Sequence, residues 1–297
     1  MLGIIDVGGG MRDVFGAGVL DYCLDHCIQF DYCLGVSAGA SNLIGYLAQQ
    51  PGRSKTFYTD YAFRDDYMGV KHYKETGDFI NLDYIYGTLS NHDGEYPLDL
   101  DRVKASSAQF VIVATDAFTG EATYFTKDDL AQDRYGAIAA SACVPVVNRP
   151  LAFQGGHYVD GGVSDPIPFE KAQADGVTKT VVILTRPKDY FRRWRRDLYF
   201  VLRLRREYPA LARALSKRAE TYNRQLRRIL ADDNTLVIAP KSTLHMKTLK
   251  LDLEKMNILY DEGYKKGAQI EKWLARGSGT DKQFHFRQKK TRDRVTP

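Results

Sequence analysis

Short apolar runs alternate with longer stretches of helical spacing at the start of the chain. Residues 2–7 form an apolar run that ends in glycines, and residues 30–36 form a second run, so each predicts a buried strand. Residues 14–27 carry apolar side chains at helical spacing, and residues 40–49 predict a second helix. This order of strand, turn and helix occurs twice, which is typical of the opening of a parallel α/β sheet.

The same pattern continues through the rest of the chain with one interruption. Strands are predicted at residues 109–115, 122–125, 146–153, 157–159, 180–184 and 235–239. Helices are predicted at residues 135–142, at residues 191–230 with a break at Pro209, and at residues 253–274. Residues 52–99 are polar, aromatic and irregular, so we expect an insertion that covers the core.

These elements predict an α/β fold with three layers, a mainly parallel sheet and a basic helical C-terminal region. We expect the core of the domain at residues 1–185. Residues 186–276 would form the basic helical region and complete the domain with a final strand and helix. Residues 277–297 are charged and are expected to form a disordered tail.

The sequence contains no run of eighteen apolar residues, so no membrane span is expected. The first residues predict a core strand rather than a signal peptide, because no basic region precedes a long apolar stretch. The four cysteines lack the spacing of zinc sites or disulfide frameworks, and thiols packed in the core suit a reducing compartment. We therefore expect a cytoplasmic protein, with the inner face of the membrane as a surface that it contacts peripherally.

Positive charge is concentrated in one part of the chain. Residues 186–228 contain fifteen Lys and Arg against four Asp and Glu, a net charge of +11, whereas the whole chain carries +5. Aromatic residues lie among these cations, at Phe191, Trp194, Tyr199 and Phe200. Two interpretations stay open, a surface that contacts anionic lipid and a plain solvated helical face. Nucleic acid suits the same charge but is not the partner that we expect.

A serine lies between two glycines where the second predicted strand meets its helix, in Gly35-Val36-Ser37-Ala38-Gly39. A serine held on such a sharp turn projects its hydroxyl beyond the sheet, and the small residues permit close backbone approach. The helix that follows directs its N-terminus toward the turn, which favours developing negative charge. The pattern predicts a nucleophile, and the alternative is an ordinary tight turn.

Two further glycine turns suit acyl-transfer chemistry. Gly8, Gly9 and Gly10 precede Met11 and Arg12 between the first strand and its helix, and consecutive glycines expose several N–H groups to an anion. A nucleotide loop is the weaker alternative, because no Gly-Lys-Ser/Thr ending is present and Gly-x-Gly-x-x-Gly fails at residue 13.

The other turn, formed by Asp160, Gly161 and Gly162, follows a strand. A carboxylate on a glycine turn can act as the base for a serine, although Asp-Gly is also a common turn dipeptide. Taken alone, this turn is more simply explained as ordinary structure.

The order of these three segments resembles that of the patatin-like phospholipase family over roughly residues 3–185. The stretch at residues 141–145 also resembles the loop that precedes the Asp strand in that family. Finer similarity to a bacterial branch of patatin-like esterases lies in residues 35–40, 52–54, 81–85 and 260–264.

The resemblance implies a serine acyl hydrolase that cleaves lipid esters through an acyl-enzyme, without a cofactor or metal. Ser37 would be the nucleophile and Asp160 its base, with Gly35 and Gly39 shaping the nucleophile turn and Gly161 and Gly162 the base turn. The oxyanion hole would be formed by the segment Gly8, Gly9, Gly10, Met11 and Arg12.

Three points of the sequence bear on this assignment. The family usually has glycine where this chain has Asp13. We expect Asp13 to be the N-cap of the next helix, so Asp13→Gly should lower the stability of the protein by at most a few tenths of a kcal/mol. The six histidines form no metal spacing, and strand alternation places His157 on the face opposite to that of Asp160. The alternatives are a Ser–His–Asp α/β-hydrolase and a lipid- or nucleic-acid-binding protein with weak catalysis.

Overall fold

The computed structural model describes residues 1–277, which form eight strands and ten α-helices. The strands are β1 Leu2–Asp6, β2 Tyr32–Val36, β3 Gln109–Asp116, β4 Ala122–Thr126, β5 Leu151–Phe153, β6 Gly156–Asp160, β7 Lys179–Ile183 and β8 Thr235–Ile238. The helices are α1 Val14–Asp25, α2 Ala38–Leu47, α3 Arg53–Thr59, α4 Val70–Thr76, α5 Leu100–Ala105, α6 Gly136–Ala142, α7 Phe169–Ala174, α8 Leu198–Leu204, α9 Pro209–Ala231 and α10 Leu253–Gly277. The tail predicted at residues 277–297 falls outside the described residues after Gly277.

The strands form one sheet in the order β5-β6-β3-β2-β1-β7-β8, with β4 also paired to β3. Five neighbouring strands, β3, β2, β1, β7 and β8, are parallel to one another. The strands β4, β5 and β6 pair antiparallel at the β3 side. The sheet is therefore mainly parallel, and helices cover both of its faces, which confirms the predicted three-layer α/β fold.

Alternate residues of the central strands pack against the helices on the two opposite faces of the sheet. Ile4 of β1 belongs to a buried cluster with residues of α1, α2, α6 and α10. Its neighbour Ile5 belongs to a second cluster with residues of α7 and α9. Because successive side chains of a strand point to opposite faces, a continuously apolar strand such as β1 fits a sheet that is buried on both sides.

Strand β3 brings together the two residues that the sequence singled out for catalysis. Val36, the last residue of β2, pairs with Val113, and Asp160, the last residue of β6, pairs with Ala114. Since Val113 and Ala114 are consecutive, the turn after β2 and the turn after β6 meet at the same edge of the sheet. The sheet register therefore places Ser37 beside Asp160.

The covering insertion at residues 52–99 contains more regular structure than the sequence predicts. It forms α3, α4, a short 3₁₀ turn at Tyr61–Phe63 and a π-helical turn at Tyr84–Thr88. The expectation of irregular structure was wrong because α3 and α4 have only seven residues each, too few to show a clear helical period. The strand predicted at residues 146–153 is also shorter, because Val146 has a φ of 70° and does not continue an extended chain.

The basic C-terminal region joins the same sheet and its helical layers. Its long helical stretch divides into a 3₁₀ turn at Trp194–Arg196, then α8, then α9, which begins at Pro209. Strand β8 pairs with β7 in parallel, and α10 packs along α1. None of the helices within residues 1–277 is long and apolar enough to cross a lipid bilayer.

Candidate active site

Ser37 lies on a sharp turn between β2 and α2. Its backbone is in a rare conformation for a side chain with a Cβ, with φ 57° and ψ −130°. Gly35 and Gly39 allow the turn to close, because a Cβ on Gly35 would lie 2.4 Å from the Cα of Ala40 and one on Gly39 would lie 2.3 Å from the carbonyl oxygen of Asp6. The turn therefore presents one hydroxyl at the carboxyl edge of the sheet and leaves no space for larger neighbours.

The turn is held by Ser141 of α6, a residue that the sequence placed in a loop motif without giving it a role. The Ser141 side chain is fully buried, accepts a hydrogen bond from the Ser37 N–H at 2.8 Å, and donates one to the carbonyl oxygen of Val113 at 2.5 Å. One hydroxyl thus links the nucleophile turn to β3. Only its position in a helix of small residues hinted at this function.

Asp160 is fixed by hydrogen bonds on both sides. Its Oδ1 accepts from the N–H of Gly162 at 2.8 Å, and its carbonyl oxygen accepts from the hydroxyl of Thr115 at 2.9 Å. A Cβ on Gly161 would lie 2.1 Å from the carbonyl oxygen of Val113, so the base turn also packs directly on β3. The carboxyl group is thereby held at one position next to the nucleophile turn.

Burial raises the pKa of Asp160 above its ordinary value, and four neighbours, Arg192 with the weakest effect, oppose this rise. The nearby charge of Arg218 lowers the pKa most, followed by hydrogen bonding with the Ser37 hydroxyl and with the Gly162 N–H. The Ser37 hydroxyl therefore lies close enough to the carboxyl group to affect its pKa. A base with a raised pKa is better matched to proton transfer from serine than an exposed aspartate.

The glycine loop has fewer free donors than the sequence suggested. Gly8, Gly9 and Gly10 all have positive φ, at 67°, 147° and 60°. The Gly8 N–H donates to Oδ1 of Asp6 at 3.2 Å. Within residues 1–277, the N–H groups of Gly9 and Gly10 have no hydrogen-bond acceptor in the protein. These two remain available to an oxyanion.

Two further residues of the predicted hole face other partners. The Met11 N–H donates to the carbonyl oxygen of Thr248 at 2.8 Å, so a segment between β8 and α10 closes over the glycine loop. Arg12 is 5% exposed, and its Nη1 donates to the hydroxyl of Thr248 at 3.2 Å. Met11 and Arg12 therefore shape the loop, while its free backbone donors come from the glycines.

Asp13 occupies the N-cap position of α1, but its side chain makes no capping hydrogen bond. The side chain is completely buried, and neither carboxyl oxygen has a hydrogen-bond partner within the described residues. Burial and the negative charge of Asp6 raise the pKa of Asp13 well above its ordinary value, and burial raises the pKa of Asp6 to about 6. The expected N-cap bond was therefore wrong, because the chain places the two carboxyl groups together beneath the glycine loop.

A small apolar cavity of about 100 Å³ opens beside Ser37. It is lined by Gly10 and Met11 of the glycine loop and by apolar side chains of the insertion, among them Phe57, Ile80 and Leu82. Leu249 closes another side. The covering insertion thus supplies half of the residues that line the cavity.

Among residues 1–277, no histidine side chain forms a hydrogen bond with Ser37 or Asp160. The groups that shift the pKa of Asp160 are arginines, backbone and Ser37, and they include no histidine. The exposed His157 packs edge-on against Phe118 instead. In the same part of the chain, no three His, Cys, Asp or Glu side chains are placed to hold a metal ion.

We predict that Ser141→Ala destabilises the protein by about 1–3 kcal/mol, because it removes the acceptor of the buried Ser37 N–H and a donor to the Val113 carbonyl. Turnover of an ester substrate should also fall, since the nucleophile turn loses its support. Urea unfolding and esterase assays measure the two effects. Ser216→Ala, which removes an exposed hydroxyl, should stay within about 0.5 kcal/mol of the parent. Unchanged stability and turnover in Ser141→Ala would contradict the assignment.

We predict that Asp13→Asn stabilises the protein at pH 8 by on the order of 1–3 kcal/mol and has less effect at pH 5. A carboxyl group whose pKa rises on folding binds its proton more tightly in the native state. The free energy of unfolding is then lost as pH increases from the ordinary pKa of 3.8 through the raised pKa values of Asp6 and Asp13.

Unfolding curves at several pH values, with the exposed Asp66→Asn as the matched control, measure this difference. A loss of stability in Asp13→Asn at pH 8 would show that the charged carboxylate is favourably held.

Comparison with known proteins extends over most of the chain. The sequence profile described as patatin-like phospholipase matches residues 7–172. A second profile, described as a domain of unknown function (DUF6363), matches residues 208–276. The uncharacterized protein YjjU of Escherichia coli (strain K12) is 30% identical over 195 residues, which cover 64% of this chain and 53% of that protein. The match therefore spans about half the length of YjjU.

The crystal structure of VipD from Legionella pneumophila overlaps 90% of this chain and 66% of that chain, with 14% identity and a TM-score of 0.48. The family assignment rests on the sequence profile, which covers more than half of the chain and includes all three glycine turns. The chain belongs to the patatin-like phospholipase family.

Proposed function

We propose that this protein hydrolyses carboxylic ester bonds of lipids, with Ser37 as nucleophile and Asp160 as its base. The observation that carries the proposal is the sheet register, which places Ser37 beside the buried Asp160, together with the apolar cavity that Ser37 lines. Membership of the patatin-like phospholipase family supports the same class of reaction.

The proposed reaction proceeds through an acyl-enzyme. Asp160 accepts the Ser37 proton while the serine oxygen bonds to the ester carbonyl carbon, and the N–H groups of Gly9 and Gly10 donate to the oxyanion. The intermediate collapses, the C–O bond to the alcohol breaks, and the leaving oxygen takes the proton from Asp160. A water molecule then loses a proton to Asp160 and attacks the acyl carbon. The bond between that carbon and the Ser37 oxygen breaks, the Ser37 oxygen takes the proton from Asp160, and the carboxylic acid leaves.

Exposed apolar side chains on the basic region support a second proposal, that this surface contacts an anionic membrane. Trp194, Leu198, Tyr199 and Leu202, here called the apolar face, are 59%, 40%, 65% and 52% exposed. Exposed arginines flank them at positions 193, 195, 196 and 203. Aromatic and leucine side chains insert at the level of the lipid headgroups while guanidinium groups bind phosphates, so the composition suits an anionic lipid surface.

The four cysteines are unpaired, as expected of a protein that acts at the cytoplasmic side of a membrane. Cys23, Cys27, Cys33 and Cys143 are all free thiols. Burial raises the pKa of Cys23, Cys33 and Cys143, so these thiols are poorly reactive core groups. We propose that the protein acts in the cytoplasm and reaches its lipid substrate through the apolar face.

We predict that Ser37→Ala and Asp160→Asn each lower hydrolysis of p-nitrophenyl esters by roughly 10³-fold or more, because either change removes one member of the dyad. Both variants should keep the circular dichroism spectrum of the parent. Alanine at His157, His245 or His285 is the control and should leave activity in place. Complete loss of activity in one of these histidine variants would favour a Ser–His–Asp triad, and a parent protein without esterase activity would favour the lipid-binding alternative.

We predict that binding to vesicles increases with the fraction of anionic lipid and falls as salt rises, because exposed charges are screened over about 8–10 Å at ordinary ionic strength. Trp194→Ser combined with Leu198→Ser should weaken binding by roughly tenfold or more, since less apolar area enters the bilayer. Ile258→Ser on α10 removes an equally exposed apolar side chain and is the matched control. Equal affinity for neutral and anionic vesicles would refute the proposal, and stronger binding to nucleic acid would point to a different partner.

A further inference from the structure

Four arginines from three parts of the chain lie together beside the glycine loop and the base turn. Arg12 comes from the glycine loop, Arg186 and Arg192 from the segment after β7, and Arg218 from α9. The positive charge of Arg192 lowers the pKa of each of the other three. The basic region thus contributes guanidinium groups to the active-site end of the sheet as well as to the surface.

The cluster contains more positive than negative charge. Asp197 accepts two hydrogen bonds from Arg192, at 2.5 and 2.9 Å, and its Oδ1 also lies 3.7 Å from Nη1 of Arg218. Within residues 1–277, neither Arg12 nor Arg186 has a carboxylate within the 4 Å of an ion pair. Arg186 instead stacks on the Tyr190 ring, 4.3 Å from its centroid. Among the described residues, Asp197 is therefore the one carboxylate in ion-pair contact with these four arginines, and Asp160 is a further negative charge near Arg218.

Several hydrogen-bond donors of this cluster lack an acceptor. Nε of Arg12, Nε of Arg218 and Oη of Tyr190 are all buried and have no hydrogen-bond partner within the described residues. A buried donor without an acceptor is costly, and more so when the donor is charged. These three unpartnered donors come from three different segments of the chain.

Electrostatic repulsion within the cluster favours the binding of an anion. Burial, assisted by the positive charge of Arg186, lowers the pKa of Arg12 to about 9. Burial, assisted by the positive charge of Arg192, lowers the pKa of Arg218 to about 10. At neutral pH both remain charged, so a bound anion would relieve the repulsion and offset the loss of hydration.

The cluster borders the groups that would act on the ester. A Cβ on Gly162 would lie 3.2 Å from Nη2 of Arg218 and 3.0 Å from Oδ1 of Asp160. A Cβ on Gly9 would lie 3.4 Å from Nη2 of Arg12. An anion held by these guanidinium groups would therefore lie next to both the base turn and the oxyanion donors.

We propose that Arg12, Arg186, Arg192 and Arg218, with Tyr190, form a binding site for a phosphoryl group. A phosphoryl group offers more acceptor oxygens than a carboxylate and binds guanidinium groups strongly. The group can belong to the headgroup of an ester substrate or to free phosphate. The headgroup case rests on the proposed hydrolase function, whereas the binding of free phosphate does not.

The first experiment measures binding of inorganic phosphate to the full chain by calorimetry, at constant ionic strength. Arg186→Gln and Tyr190→Phe remove one charge and one hydroxyl from the cluster, and Arg213→Gln removes an exposed charge from α9 as the matched control. We expect roughly tenfold weaker phosphate binding in Arg186→Gln, a smaller loss in Tyr190→Phe, and no change in Arg213→Gln. Absence of phosphate binding, equal binding of acetate, or equal affinity in parent and Arg186→Gln would overturn the proposal.

The second experiment distinguishes a site that binds the headgroup of an ester substrate from a site that binds free phosphate. It compares kcat/KM for a short-chain phosphatidylglycerol, kept below its micelle concentration, with that for a neutral p-nitrophenyl ester of the same acyl length. If the site binds the headgroup, Arg186→Gln should lower the ratio of the two values by about tenfold, and Arg213→Gln should not. Lost phosphate binding with an unchanged ratio would assign the site to free phosphate and exclude the headgroup. A parent that binds phosphate but hydrolyses neither ester would refute the hydrolase function and leave the anion site standing.

Discussion

The site depends on the close crossing of backbone segments at the carboxyl ends of β1, β2 and β3. A Cβ on Gly8 would lie 2.1 Å from the carbonyl oxygen of the last residue of β2. A Cβ on Gly39 would lie 2.3 Å from the carbonyl oxygen of the last residue of β1, and a Cβ on Gly161 would lie 2.1 Å from a carbonyl oxygen of β3. No other residue type leaves this space free. The three turns can therefore pack in contact, and Ser37, Asp160 and the glycine loop meet at one edge of the sheet.

Burial shifts the pKa values of the ionisable groups at this edge of the sheet. Removal from water disfavours the charged form of each ionisable group, so the pKa of Asp160 rises and that of Arg218 falls, while the attraction between the two charges opposes both changes. The carboxyl group remains a stronger base than an exposed aspartate and keeps a cation nearby. Beneath the glycine loop, burial also raises the pKa of Asp6 and Asp13, and the charge of Arg12 opposes the rise at Asp13.

The C-terminal region completes the sheet and its helical layers and also contributes residues to the candidate active site. Helix α9 packs on one face of the sheet, β8 extends it and α10 packs on α1. The same region supplies Arg218 beside the base turn and the Thr248 carbonyl that accepts from the Met11 N–H. The part of the chain that matches a domain of unknown function therefore determines the electrostatic environment and the shape of the glycine loop.

The sequence by itself determined the order of strands and helices and the three glycine turns, because apolar periodicity and glycine act over a few neighbouring residues. It therefore predicted the α/β fold and placed Ser37 and Asp160 on turns at strand ends. Only the tertiary structure decided that Ser141 supports Ser37, that Thr248 takes the Met11 N–H, and that Asp13 lies against Asp6 instead of capping α1. The first two contacts join residues more than a hundred positions apart, and the third depends on how β1 and α1 pack, so no local pattern encodes them.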